Sequence, residues 1–128
     1  MAIITLTTDL GYKDFYQAAL KGSILNILPN VTLVDVTHEI QAFNISRAAF
    51  ILKNCFYYFP DGTVHLIGID TVYNSHNKYL ALKYKGHYFV GSDNGIFSLI
   101  FDSEAEEIVE INIMQDLKFL HFPLTDIL

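Results

Sequence analysis

The sequence predicts an α/β domain of three layers, with a mixed, mainly parallel central sheet flanked by helices. Three observations predict it. Short, apolar, β-branched runs recur up to residue 70, and segments with helical spacing separate them. After residue 70 the texture changes to closely spaced alternating runs joined by Gly-containing turns, which marks an antiparallel hairpin.

Each element follows from its residues. Residues 3–7 (IITLT) read as a buried strand. Residues 14–28 carry Phe15, Ala18, Ala19, Ile24, Leu25 and Leu28 near helical spacing, with Asp14 placed as N-cap and Pro29-Asn30 as the stop. Residues 31–36 (VTLVDV) form a second strand. Residues 45–58 form a second helix, with Asn44 as its N-cap and Ala48, Ala49, Ile51 and Leu52 as its apolar stripe. Phe59-Pro60-Asp61-Gly62 is a turn. Residues 64–69 (VHLIGI) are a third strand, ended by Asp70. This β-α-β-α-β order calls for parallel strands with right-handed crossovers. Beyond the polar loop TVYNSHNK, residues 79–84 and 87–91 pair across Lys85-Gly86. Asp93-Asn94-Gly95 then turns into a short helix or strand (IFSLIF), and residues 107–113 alternate as a last strand. The closing FLHFPLTDIL carries the signals of a chain that continues. The expectation is one N-terminal domain over residues 1–128, belonging to a longer protein or a shortened product of one.

Composition narrows the function. A length of 128 residues suits one domain, and 52% hydrophobic against 17% charged residues favours a packed core over disorder. The net charge of −6 argues against a nonspecific nucleic-acid surface, which needs a basic footprint. The apolar runs fall far short of a membrane span, and the start MAIITLTTD has no basic n-region, so neither a membrane nor an export signal is expected. A cytoplasmic location is expected. Cys55 is the single cysteine, which precludes an intramolecular disulfide and agrees with a reducing compartment.

Ligands of an open parallel sheet bind outside the carboxyl ends of its strands. Asp9 follows the first strand, Asp35 lies near the end of the second, and Asp70 ends the third. Asp9 precedes Gly11, which allows a tight turn. A carboxylate there suits two vicinal hydroxyls, as on a ribose, and is a poor partner for phosphate. Plainer roles stand beside these. Asp9 is equally well a turn former, Asp14 is more naturally a helix cap, and Asp35 reads as a buried or half-buried acid held by backbone donors. Other chemistry is thinly supported. G-x-G-x-x-G and Walker sequences are missing. The histidines, 38, 65, 76, 87 and 121, lack metal-ligand spacing, so no metal is expected. His65 reads as a packed strand histidine, and His38 in DVTHEI as a residue that could orient its loop by hydrogen bonding. Phe43 in QAFN suits either a stacked base or the core, and spacing favours the core. No serine sits on a nucleophile elbow.

The stretches ITLTTDLGYKDFYQAALKGSIL, NVTLVDVTHEIQAFNISRAAFIL, YFPDGTVHLIGID and YFVGSDNGIFSLI, in this order, resemble the N-terminal domain of the S-adenosylmethionine hydroxide adenosyltransferases. These are adenosine-forming S-adenosylmethionine hydrolases, in the superfamily of fluorinase and chlorinase. The resemblance covers nearly the whole chain. It implies a Rossmann-like fold, S-adenosylmethionine as substrate, no cofactor, and attack of water or hydroxide on C5′ with methionine leaving. It implies that Asp9 holds the ribose hydroxyls, that Asp14 lines the site or caps the helix, and that Phe43 packs on the ligand. Asn94, in the D-N-G turn, shapes the site floor, and Tyr73 and Phe122 are further substrate contacts. The family's Asp-Arg-His set falls on Asp70, on Asn77 at the Arg position with Lys78 as the nearest base, and on Pro123 at the His position. His121, two positions away, is the candidate replacement. The family's V-D-P-G-V-G motif reads IDTVYN here. The family also has a C-terminal β-rich domain that reads the adenine, absent from these residues, and its sites form between subunits of a trimer, so a trimeric homo-oligomer is implied. Two readings of function follow: the N-terminal domain of a hydrolase, with little or no activity by itself, or a binding module for S-adenosylmethionine or a nucleoside that has lost catalysis. A domain that serves assembly alone is a third.

Overall fold

The computed structural model describes residues 2–42, 44–69 and 78–111. In chain order these form β1 (Ile3–Thr8), α1 (Tyr16–Ile27), β2 (Thr32–Thr37), α2 (Ile45–Lys53), a 3-10 turn (Phe56–Tyr58), β3 (Val64–Gly68), β4 (Tyr79–Tyr84), β5 (His87–Ser92), α3 (Ile96–Ile100) and β6 (Glu107–Ile111). One six-stranded sheet runs in the order β2-β1-β3-β5-β4-β6. β1 is parallel to β2 and β3, and β3 is parallel to β5. β4 runs against both its neighbours, β5 and β6. The expected mixed, mainly parallel sheet therefore forms, with the reversal confined to the hairpin strand.

Alternation of side chains across the sheet makes the three layers. On one face Leu20 and Ile24 of α1 pack with Leu6, Leu66 and Tyr79. On the other, Ala48, Ala49 and Leu52 of α2 and Ile96, Phe97 and Ile100 of α3 pack with Ile67, Leu82, Tyr84 and Phe89. The neighbours Leu66 and Ile67 thus enter opposite cores. Gly91 of β5 lies where a Cβ would meet the Ile67 carbonyl oxygen at 3.1 Å and the Phe97 ring at 3.4 Å, so a bare backbone is what lets β5 sit beneath α3.

The helices depart from expectation at their ends. α1 starts at Tyr16, not at residue 14, and Phe15 holds the N-cap position without a side-chain cap bond. Asp14 Oδ1 accepts from the N–H of Phe15 at 2.8 Å. A capping carboxylate has to reach the second or third helical N–H, and this one stops at its own neighbour. Of the α1 stripe, Phe15, Ala18, Leu25 and Leu28 are exposed, and the buried pair is Leu20 and Ile24. α2 does begin at an Asn44 cap, whose Oδ1 accepts from the N–H of Arg47 at 3.1 Å. It ends at Lys53 rather than 58. The Asn54 amide donates to the Phe50 carbonyl at 2.7 Å, and the 3-10 turn then returns Phe56 to the core. The IFSLIF stretch is helical. The hairpin turn is Lys85-Gly86, both at positive φ as a type I′ turn requires.

Candidate functional site

β1 connects to β2 on one side of itself, and β2 connects to β3 on the other. The chain's direction across the sheet therefore reverses between β1 and β3. The two crossover helices accordingly lie on opposite faces. Such a reversal opens a crevice at the carboxyl ends of the strands, and ligands of open α/β sheets bind there. Asp9 is the first residue beyond β1 at this point. Its N–H donates to the Gly68 carbonyl at the end of β3, at 3.3 Å. The turn that follows depends on Gly11, whose φ of +72° disfavours any side chain. Asn94, beyond β5, belongs to the same edge. Its Nδ2 donates to the Ile69 carbonyl at 3.4 Å, and its Oδ1 accepts from the N–H of Ile96 at 3.2 Å, so the D-N-G turn is tied both to β3 and to the start of α3.

A second set of bonds holds the Asp9 turn from the β2 side. The N–H of Gly11 donates to the His38 carbonyl at 2.7 Å, and the N–H of Ile40 donates to the Thr8 carbonyl at 3.3 Å. Thr8 Oγ1 lies 2.6 Å from His38 Nδ1 and accepts from the N–H of Leu10 at 3.2 Å. His38 Nε2 lies 2.7 Å from Asp35 Oδ1, and Lys21 Nζ of α1 donates to Asp35 Oδ2 at 2.7 Å. Thr8 and His38 are both fully buried, and the Tyr12 ring meets the imidazole edge-to-face at 5.2 Å. His38 thus orients its loop as expected. The expectation for Asp35 is corrected. Its side chain is about a third exposed, at 32%, and the side chains of Lys21 and His38 hold it, not backbone donors. Partial burial pushes its carboxyl pKa up, but the hydrogen bonds from Lys21 and His38 outweigh that and the net shift is downward.

The sequence-predicted residues fall into three groups. Asp9 and Asn94 come to one edge of the sheet. Asp14 is exposed and bonded to its own neighbour's backbone. Phe43, Asp70, Tyr73, Asn77, His121 and Phe122 lie outside the described residues. Sequence reasoning missed Thr8. The available signal was the run Thr5, Thr7, Thr8 at the end of a strand read as buried, since buried hydroxyls need partners.

The opposite end of the sheet has its own network. Thr5 Oγ1 lies 2.7 Å from His65 Nδ1, and His65 Nε2 lies 3.2 Å from His87 Nδ1. His65 is fully buried, as expected of a packed strand histidine. Burial, and then the neighbouring His87, push its pKa down to about 4. The pKa of His87 is also lowered by burial, with Asp61 pulling the other way. A cavity of about 440 Å³ opens here, among Lys53, Phe56, Asp61, Tyr84, Lys85 and His87. It lies at the amino ends of β3 and β5, far from the Asp9 crevice. Among the described residues no group of three or more His, Cys, Asp or Glu side chains could hold a metal ion.

The family model for the SAM hydroxide adenosyltransferase N-terminal domain matches residues 4–128. The chain belongs to that family. The (R)-S-adenosyl-L-methionine hydrolase of Methanocaldococcus jannaschii is 43% identical over 103 residues, covering 77% of this chain and 39% of that protein. A fluorinase of an Actinoplanes species is 39% identical over 62 residues, 48% of this chain and 21% of that protein. The chain spans about two-fifths of the length of the hydrolases it matches. Among solved structures, an uncharacterized conserved protein from Thermotoga maritima superposes with a TM-score of 0.84 at 29% identity, covering 96% of this chain and 52% of that one.

Proposed function

We propose that residues 1–128 are the N-terminal α/β domain of an enzyme that hydrolyses S-adenosylmethionine to adenosine and methionine, and that a C-terminal β-rich domain completes the site. The observation that carries this is the placement of Asp9 at the strand-order reversal, in a chain whose family model and 43%-identical relative both concern S-adenosylmethionine. The Asp9 carboxylate accepts hydrogen bonds from both ribose hydroxyls. Asn94 shapes the floor beside it, Asp14, Phe43, Tyr73 and Phe122 supply further substrate contacts, and Asp70, Asn77 and His121 surround the nucleophile. In the reaction a water or hydroxide oxygen bonds to C5′ as the C5′–S bond breaks. The sulfonium sulfur takes the bonding pair and leaves as the neutral thioether of methionine, and a proton passes from the attacking water to solvent. Because the leaving group is already cationic, this reading calls for no cofactor. The protein's task is to align and desolvate the nucleophile. An amide at Asn77 can orient that water by hydrogen bonding, without the charge an arginine would add.

The net charge of −6 favours encounter with a cationic substrate over nucleic acid. No helix among the described residues is long and apolar enough to cross a membrane. A cytoplasmic location and a trimer belong to the same proposal. The trimer draws support from the exposed Leu25, Ile27 and Leu28 at the end of α1, an apolar patch of the kind that association covers.

The test is incubation with S-adenosylmethionine and chromatography for adenosine, on this chain and on any longer product of its gene. Adenosine is expected from the longer product, abolished by Asp70→Ala and strongly reduced by Asp9→Ala. Saturable binding by calorimetry without adenosine would favour the inactive binding module that Asn77 and Pro123 suggest. The absence of both would overturn the nucleoside reading.

A further inference from the structure

We propose that His38 is a positioning residue of the nucleoside site: acting through Thr8, it fixes the turn that presents Asp9. This rests on the nucleoside reading above. Its motive is how much of the turn's anchoring leads back to one side chain and its backbone. Thr8, Leu10 and Gly11 surround Asp9 on both sides. Gly11 is bonded to the His38 carbonyl, Leu10 to the Thr8 hydroxyl, and that hydroxyl to His38 Nδ1. A further bond, from Asp9's own N–H, goes to β3.

The chemistry fixes the direction of the outer bond. Asp35, with its lowered pKa, is a carboxylate and only accepts, so His38 Nε2 carries the proton and donates to it. At the other ring nitrogen, Nδ1 and the Thr8 hydroxyl are each other's partner at 2.6 Å, and the same hydroxyl accepts from the N–H of Leu10. Each polar atom in the line has a partner. The hydroxyl cannot leave without orphaning a buried nitrogen, which is what makes the line a positioner rather than loose packing. The same geometry rules out the superficially similar Asp-His-Thr nucleophile. Thr8 is fully buried and its hydroxyl is spent on both sides, so no substrate carbon reaches it. Lys21 closes the circuit, because it stands on α1, the helix the Asp9 turn leads into, and grips the far oxygen of Asp35. The turn is thereby held at its beginning through Thr8 and at its exit through α1. A carboxylate that must meet two hydroxyls at once needs such support, since a displacement of about 1 Å breaks a paired geometry.

The test compares adenosine with 2′-deoxyadenosine, which lacks one of the two hydroxyls, by calorimetry on this chain and on any longer gene product. The wild type is expected to prefer adenosine by about tenfold or more, the value of one hydrogen bond to a carboxylate. Thr8→Val keeps shape and removes the hydroxyl. It should bring the preference to about twofold or less, and Thr8→Ser should restore it. A merely structural role would lower the melting temperature and leave the preference intact, and that result overturns the proposal. If Thr8→Val does not fold, Asp35→Leu at an exposed position decides instead. It frees the far side of the imidazole, so the preference should fall about threefold, and an unchanged preference overturns the proposal. A wild type that binds neither nucleoside sinks the nucleoside reading and this inference together. A wild type that discriminates, beside variants that discriminate equally, sinks this inference alone.

Discussion

Strand β1 carries two buried threonine–histidine pairs, one toward each end, and they differ in what lies behind the histidine. At the carboxyl end Thr8 meets His38, whose far nitrogen faces the exposed carboxylate of Asp35 and, through it, Lys21. Toward the amino end Thr5 meets His65, whose far nitrogen faces a second histidine inside an aromatic cage. Phe89 stacks on His65 at 4.9 Å, and Phe59 and Phe56 stand edge-on at 5.8 and 6.2 Å. The first pair is wired to charge and faces the crevice. The second lies among the rings of the core, where it lets polar atoms be buried. The same residue pair thus does site work or core work according to its outer partner, and the difference can be broken from either side.

The largest effect should come from opening the cage. Phe89 is fully buried, and Phe89→Ala removes both its packing and the wall against His65. A loss of about 3–5 kcal/mol in chemical denaturation is expected. Leu10 of the Asp9 turn packs on the opposite core from Phe89, so the adenosine preference of whatever protein folds should persist.

Acid attacks the same region without a mutation. His65 has a folded pKa of about 4 against an ordinary 6.5. Above 6.5 both states are neutral and its full contribution is present. Between 6.5 and 4 the unfolded chain binds a proton that the native ring refuses, so stability falls with pH at up to about 1.4 kcal/mol per unit, for a total of about 3 kcal/mol. The lowered pKa of His87 adds in the same direction. Urea midpoints at pH 7, 5.5 and 4 should decline in the wild type and decline distinctly less in His65→Gln. Parallel slopes would mean that His65 accepts its proton in the folded state after all.

The two threonines allow a matched comparison. Thr5→Val and Thr8→Val each strip the hydroxyl from a buried histidine nitrogen, and each should cost about 1–3 kcal/mol in thermal unfolding. The costs should be similar and the consequences different, with Thr8→Val alone altering nucleoside discrimination. Equal loss of discrimination in both would show that any softening of β1 suffices, and the distinction between the two ends would collapse.

Much of this architecture was legible in the sequence, and the exceptions share a cause. The sheet, its hairpin, the Asn44 cap and the acid at the end of β1 follow from local pattern, because alternation, turn residues and caps act over a few positions. The α2 stop was hidden because Phe56 continues the apolar spacing of Leu52, and only the bond from Asn54 back to Phe50 shows the break. Asp14 looked like a cap because capping depends on reach, and reach depends on backbone angles that residue type does not set. The partners of Asp35 come from α1 and from the loop after β2, and those of His65 from β1 and β5. Such pairings depend on strand order, which no single segment encodes. The site was visible as an acid in the right place, while the device that holds it there was not.

The smallest effect should come from the outermost link. Lys21 and Asp35 are each about a third exposed, at 28% and 32% of the side chain, so solvent screens their 2.7 Å pair and Lys21→Met should cost only about 0.2–1 kcal/mol at low salt. At about 1 M salt, where the screening length is about 3 Å, wild type and variant should converge. Acid should merge them too. The lowered pKa of Asp35 means that its contribution is present above the ordinary carboxylate value of 3.8 and is lost as pH falls through the folded value. Because His38 still binds the other carboxylate oxygen, the adenosine preference of Lys21→Met should change less than that of Asp35→Leu. If it falls as far, the lysine does more than neutralise charge, and the hold on Asp9 begins at α1 rather than at the imidazole.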